Sequence, residues 1–227
     1  MMEKPTIFPL ADNALTIELG CEIKPELNEK ALFIADSMAN SPFPGFIEAV
    51  PAYASATLFY DPIVVREEFP DFETAFDAVK NLAEELIGAK NGKRKRHETR
   101  TVEIPFRITD EYSPDLNHVA EKSGLPPSDV VEIFIGATYR VYMLGFMPGF
   151  SYMGEVDERI AVPRKQTPRL KVAAGSVGIA GRQTGVYSLD SPGGWQIIGR
   201  TSMKMFTPEG EMPCPLKPGD LVCFGVE

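Results

Sequence analysis

The chain is 227 residues long, 44% hydrophobic and 24% charged, with a formal net charge of -9 and a pI near 4.9. Such a chain can bury one large core or two smaller ones, and its acidity argues against nucleic acid as a partner. No apolar run approaches the ~20 residues of a membrane span, and three scattered cysteines with two histidines, His97 and His118, offer neither a disulfide framework nor a histidine-rich metal site.

The N-terminus, MMEKPTIFPLADN, has no signal-peptide apolar core, so a reduced, cytoplasmic setting is expected. Ala14 to Leu19 alternates apolar and polar residues as a half-buried strand does. Pro25 then opens a helix with Leu27, Ala31, Ile34, Ala35 and Met38 on one face. Ser41-Pro-Phe-Pro-Gly45 stops it. Phe46 to Val50 and Tyr53 to Tyr60 read as strands, the second ending at an Asp61-Pro62 turn. Phe72, Ala75, Phe76, Val79, Leu82, Ala83, Leu86 and Ile87 form the stripe of a second helix, suited to packing on a sheet.

Asn91-Gly92 followed by Lys93-Arg94-Lys95-Arg96-His97 reads as a solvated linker. The domain boundary is placed there, giving domains 1–92 and 93–227. Glu98 to Ile108 alternates like a strand, and Pro114 to Lys122 and Ser128 to Phe134 read as short helices, the second with Ser128 as N-cap. Tyr139 to Leu144 enters a β-rich region that Leu216 to Phe224 closes as a turn and strand.

Ten of the 19 glycines fall between Gly145 and Gly199. Short apolar pieces there are separated by Gly and Pro, which suits short strands and tight turns. The same stretch carries Arg164, Arg169, Arg182 and Arg200, with Tyr152, Gln183, Thr184 and Trp195 between them. A β scaffold bearing guanidinium, amide and hydroxyl groups can form a cleft for a small anionic or amide-bearing molecule. Pro163-Arg-Lys-Gln-Thr-Pro-Arg169 sets two guanidinium groups on a stiff segment. They either grip a carboxylate or phosphate or pair with local acids such as Asp157 or Glu158. Trp195 reads either as core or as the wall of a cleft. Phe146, Met147, Phe150 and Met153 are candidates for an exposed apolar patch, or for ordinary barrel core.

Several familiar motifs fail. Gly149 to Gly154 has the glycine separation of a P-loop, but Glu155-Val156 replaces the Lys-Ser/Thr pair. Neither Ser151 nor Ser176 stands in G-x-S-x-G. No G-x-G-x-x-G follows a strand, so dinucleotide binding has no support.

LGFMPGFSYMG (144–154), PRKQTPR (163–169), AGSVGIAGRQTGVY (174–187) and SPGGWQIIGRT (191–201) closely resemble one family. It includes the B subunit of bacterial ATP-dependent 5-oxoprolinase, allophanate-hydrolase-subunit-1-like proteins and an inhibitor of a sporulation histidine kinase. PDLNHVA, GLPPSDVVEIF, TYRVYMLGF and LKPGDLV extend the resemblance over nearly the whole chain. It implies an α+β protein, with an N-terminal ferredoxin-like α/β domain followed by a cyclophilin-like β-barrel domain.

It also implies a complex with two partners, a C-type carboxyltransferase-like protein and an A-type protein. That complex would use ATP, with Mg, to convert 5-oxoproline and water to glutamate. This chain would be inactive alone and would carry no biotin. Matching motif positions give Arg164, Arg169 and Arg200 as anion contacts, Tyr152, Gln183 and Thr184 as neutral hydrogen-bonding groups, and Trp195 as an apolar wall. The resemblance leaves two alternatives open: a regulator that binds and inhibits a histidine kinase, and a carboxyltransferase-like component directed at urea or a related amide. The chain departs from the family at Phe106 to Tyr112, where relatives often carry Tyr-Gly-Gly. Phe134 stands where a histidine is common, and Ala173 where a proline is usual.

Overall fold

The computed structural model describes residues 5–88 and 99–227. The proposed boundary at residue 92 and the basic run 93–97 lie outside them. Chain contacts separate two compact units, one up to Glu98 and one from Thr99 onward.

The first unit contains β1 (Thr6–Ala11), β2 (Ala14–Glu18), α1 (Pro25–Asn40), β3 (Phe46–Pro51), β4 (Ser55–Tyr60), α2 (Pro62–Glu68) and α3 (Ala75–Gly88). Its strands form one antiparallel sheet in the order β1-β2-β4-β3. Leu15 and Ile17 of β2 and Ala56, Leu58 and Tyr60 of β4 point to one face, where Ala31, Ile34 and Met38 of α1 and Ala75, Ala78, Val79 and Ala83 of α3 cover them. The 3.6-residue stripes of both helices are thus the core faces the sequence predicts.

Two elements differ from expectation. β1 is an edge strand, mostly exposed and interrupted by Pro9, so it lacks the alternation that marks a buried strand. Asp61-Pro62 is a helix start rather than a bare turn. Asp61 Oδ1 accepts from the amides of Ile63 (2.9 Å) and Val64 (3.3 Å), and Pro62 fills the first helical position of α2.

The second unit contains β5 (Thr101–Phe106), α4 (Leu116–Ser123), α5 (Pro127–Ile135), β6 (Thr138–Leu144), β7 (Ser151–Gly154), β8 (Arg169–Val172), β9 (Ser176–Ala180), β10 (Gln183–Val186), β11 (Ser191–Gly193), β12 (Gln196–Arg200) and β13 (Leu221–Val226). A single 3-10 turn, Glu158–Ile160, precedes β8. α5 starts one residue before Ser128, with Pro126 at its N-cap; the Ser128 hydroxyl turns to Asp129 instead of capping. Among the described residues, no helix is long and apolar enough to cross a membrane.

Seven strands make one sheet in the order β12-β9-β10-β7-β6-β13-β5, and β8 and β11 pair separately. The large sheet curls until its two outer strands meet. The Arg107 amide, just past β5, donates to the Arg200 carbonyl (2.8 Å), and the Arg200 amide donates back (3.0 Å). Closure removes the exposed strand edges and gives the sheet an inside and an outside.

Side chains then sort by the period of two. Ile198, Ile179, Met153, Val141, Phe224 and Phe106 face the main core with Val119 of α4 and Phe134 of α5. Ile197 and Ala180, their neighbours in sequence, face the other side in a smaller cluster with Phe150, Tyr187, Trp195 and Val172 of β8. Phe134, at the position where the family commonly has histidine, packs 5.0 Å from Phe224 and 5.5 Å from Phe106. Hydrocarbon in that core makes the aromatic ring the better occupant there.

Gly199 sits where the sheet closes. A Cβ there would lie 2.1 Å from Cε2 of Phe106 and 3.0 Å from the Arg107 carbonyl. Gly199→Ala is therefore expected to destabilise the protein by about 2–3 kcal/mol, as overpacking does, read as a lower thermal or denaturant midpoint. Stability equal to the parent would mean that the closure yields without strain.

Candidate functional site

The segment between the 3-10 turn and β8 is held down at several points. The Lys165 amide donates to the Gly194 carbonyl (2.7 Å), and Gln196 Nε2 donates to the Pro163 carbonyl (2.9 Å). The strongest anchor is Asp115, at the start of α4 and only 3% exposed. Its Oδ1 accepts from Arg169 Nη2 (2.6 Å) and Lys165 Nζ (3.1 Å), and its Oδ2 from the Ile197 amide (2.7 Å). An aspartate at a helix start usually caps its own helix. Here the side chain makes no such bond; it turns away to bind groups 50 to 82 residues distant in sequence. Burial works against ionising this carboxyl, but the bonds from Arg169, the Ile197 amide and Lys165 outweigh it and hold the group below its ordinary value.

Above this anchor lies an aromatic platform. The rings of Phe150 and Trp195 meet edge to face at 5.4 Å, Tyr152 and Trp195 at 5.9 Å, and Phe150 and Tyr187 at 5.3 Å. Phe146 extends the set 5.7 Å from Phe150 and is 65% exposed. Its φ of 68° puts a bulky side chain in the left-handed region, where a local constraint must hold it. Phe150 and Met153, by contrast, are fully buried, so the expected apolar patch reduces to Phe146 with a half-buried Met147.

Arg164 is exposed, with Cζ 5.8 Å from the centre of the Trp195 ring. The local acids are engaged elsewhere: Asp157 holds Arg159, and Glu155 and Glu158 both hold Arg182. Arg164 has no carboxylate partner among the described residues. Burial raises the Tyr152 and Tyr187 phenols, and the nearby Arg164 charge pulls both part of the way back.

The predicted residues therefore fall into three places. Tyr152, Arg164 and Trp195 share the platform, and Arg169 sits behind it on Asp115. Gln183 opens β10 half-buried, paired with Gly154 and Ala180. Thr184 is completely buried and donates to the Gly178 carbonyl (3.0 Å). Arg200 lies at a separate cavity of about 360 Å³ that none of the other six lines. Residue chemistry alone does not single out Asp115 and Lys165. The sequence signal for Asp115 is its place in the PDLNHVA motif. Among the described residues no group of three or more His, Cys, Asp or Glu could hold a metal ion.

The second unit is thus a closed, largely antiparallel sheet carrying a cation-topped aromatic platform, and the first a four-stranded sheet covered by helices. The family described as "Carboxyltransferase domain, subdomain C and D" matches residues 5–216, and the chain belongs to it. The chain is 44% identical over 219 residues to a Bacillus subtilis protein named as the B subunit of 5-oxoprolinase, covering 96% of this chain and 91% of that one. It superposes on the crystal structure of TTHA0988 with a TM-score of 0.79 at 36% identity; 94% of this chain is covered, which spans 40% of that one. The Kluyveromyces lactis urea carboxylase shares the fold, with a TM-score of 0.77 at 18% identity over 98% of this chain and 22% of that chain.

Asp115→Asn is expected to destabilise the protein by about 3 kcal/mol, because two half-buried cations lose their counter-charge. Because the folded value is depressed, Asp115's contribution is fully present above the ordinary carboxylate value of about 4. It is lost as pH falls through the folded value, so the gap between parent and variant should close in acid. A gap that stays constant from pH 7 down to pH 3 would contradict the role of the charge.

Proposed function

We propose that this chain is the B-type subunit of an ATP-dependent 5-oxoprolinase that works with C-type and A-type partners in the cytoplasm. The observation that carries the reading is the match to a 5-oxoprolinase B subunit over almost the full length of both chains. On this reading the chain comprises a ferredoxin-like domain, residues 1–92, and a cyclophilin-like barrel, residues 93–227. The β1-β2-β4-β3 order supports the first, with β1 in the place of the fold's last strand. Sheet closure through Arg107 and Arg200 supports the second.

The chemistry fits the demand for ATP. Resonance makes a lactam carbonyl a weak electrophile. Transfer of the γ-phosphoryl group to that oxygen makes it a leaving group. ADP leaves at that step, water adds at the carbon, and the ring C–N bond opens with the nitrogen taking up a proton, which gives γ-glutamyl phosphate. A second water then hydrolyses this acyl phosphate to glutamate and phosphate. Any magnesium enters with the nucleotide, held by its phosphates.

Within this chain, Arg164 would grip the 5-oxoproline carboxylate while the faces of Trp195 and Tyr152 hold the apolar ring and exclude water. Lys165 and Arg169 act through Asp115 to fix the height of that segment, and Gln183 lies within the same barrel wall. The interior bond of Thr184 gives it a supporting rather than a contacting part.

Phosphate release from ATP should rise with 5-oxoproline only when this chain is mixed with its A-type and C-type partners. Arg164→Ala should lower kcat/KM of that mixture about 10- to 100-fold, the size of a lost charged hydrogen bond. Arg164→Lys should recover part of the loss, and thermal stability should stay within about 0.5 kcal/mol of the parent. Full activity in Arg164→Ala would remove the residue from the site. No 5-oxoproline-dependent release from an intact complex would overturn the activity.

A further inference from the structure

The cavity that Arg200 lines lies apart from the aromatic platform. Its volume is about 360 Å³, and its polar lining includes Arg107, Tyr112, Arg200, Thr201, Ser202 and Lys204. Three cations and no carboxylate line a cavity in a chain of net charge -9. The acids nearby are occupied: Glu227 pairs with Arg107 (2.8 Å), and Asp190 pairs with Lys171 (2.8 Å) while accepting from the Ala174 amide. Arg200 and Lys204 have no ion pair among the described residues.

Arg200 is also oriented. Its Nε donates to the Ala174 carbonyl (3.0 Å) and its guanidinium lies 5.4 Å from the centre of the Tyr112 ring. Two edges fixed in this way leave the Nη groups for a ligand, with little entropy lost on binding.

The backbone adds to the charge. The amides of Ser202, Lys204, Met205 and Phe206, all in the lining, donate to no acceptor among the described residues. Two glycines with positive φ explain how the segment is seated. A Cβ on Gly175 would lie 2.4 Å from the Thr201 carbonyl oxygen, and one on Gly149 would lie 2.3 Å from that of Met205. In a trans peptide the N–H points opposite to the C=O, so the Ser202 and Phe206 amides turn away from those glycines. Unpaired amides beside one oriented cation are the kind of donor set that binds anions.

We propose that this cavity is a phosphate-binding site of the chain itself, gripping either the terminal phosphates of a nucleotide or free inorganic phosphate. Arg200 supplies a fixed fork, Lys204 a mobile ammonium, and the 202–206 amides neutral donors. A compact anion with several oxygens uses all of these together, whereas a single carboxylate can engage only part of them.

Calorimetric titration of the chain alone, at low salt, tests this without any activity. ATP and pyrophosphate should bind saturably and compete, AMP and adenosine more weakly or not at all. Inorganic phosphate binding as tightly as ATP would support the site and assign it to free phosphate. Lys204→Gln, at an exposed position, should weaken binding about tenfold, and Ser202→Glu should abolish it. Arg200→Gln should weaken it at least as much as Lys204→Gln, with melting curves checking its fold. The proposal falls if no phosphate compound binds, if binding is unchanged in both Lys204→Gln and Ser202→Glu, or if glutamate or 5-oxoproline displaces pyrophosphate as well as phosphate does. Because the partner proteins are absent from this titration, failure here leaves the proposed activity standing, and failure of that activity leaves this site standing.

Discussion

The buried carboxylate of Asp115 is the constraint on which the aromatic face of the closed sheet depends. A charge removed from water must be matched by donors of the right geometry, or it destabilises the fold. Asp115 is matched by a guanidinium, an ammonium and a backbone amide, which come from β8, the segment before it and β12. Three stretches of chain that are distant in sequence thereby acquire one fixed relation to the start of α4. The consequence for Arg164 is indirect but decisive. Its neighbours Lys165 and Arg169 are both tied to Asp115, so the segment carries one uncommitted cation, and that cation stands over Trp195. The stiffness of the two Pro-Arg pairs then does more than present two equivalent hooks: it sets one arginine as an anchor and leaves the other at the surface.

Closure of the seven-stranded sheet supplies the second condition. Once the Arg107–Arg200 bridge joins the outer strands, every strand in between has one side chain row directed to the main core and one directed outward. Alternation alone then places Ile198 inside and Ile197 beside Trp195. The platform is the outer row of a closed sheet, roofed in part by the β8–β11 pair. The same closure leaves Arg200 at the rim, which separates it from the other arginines despite its membership in the same glycine-rich stretch.

Much of this was legible in the sequence, for physical reasons. The helical stripes of α1 and α3 and the alternation in β2 and β5 reflect burial against a sheet, and burial is what hydrophobic period records. β1 was not legible, because an edge strand with Pro9 and solvent on most of its surface has little burial to record. α2 was hidden because Asp-Pro serves equally as a turn and as a cap with its first helical residue. The partners of Asp115 were out of reach for a different reason. No local pattern predicts which of several arginines a carboxylate 54 residues away will take. Residue chemistry identified the arginines, but only the folded chain sorts them into an anchor at 169, a platform cation at 164 and a cavity cation at 200.

On the proposed reading, that sorting bears on how one small barrel would serve a reaction with two unlike anions. The platform is broad, aromatic and singly charged, suited to a flat molecule bearing one carboxylate and an amide. The cavity at Arg200 carries Arg200 and Lys204 as uncommitted cations beside unpaired amides, which suits a compact and highly charged group. Placing both charges in one site would set the carboxylate and the phosphates against each other, at about 4 kcal/mol for two unit charges 4 Å apart under surface screening. Separate cation sets remove that repulsion from the binding step. On the proposed reading they would also require the reacting groups to be brought together by something beyond this chain, which is the part a partner protein would play.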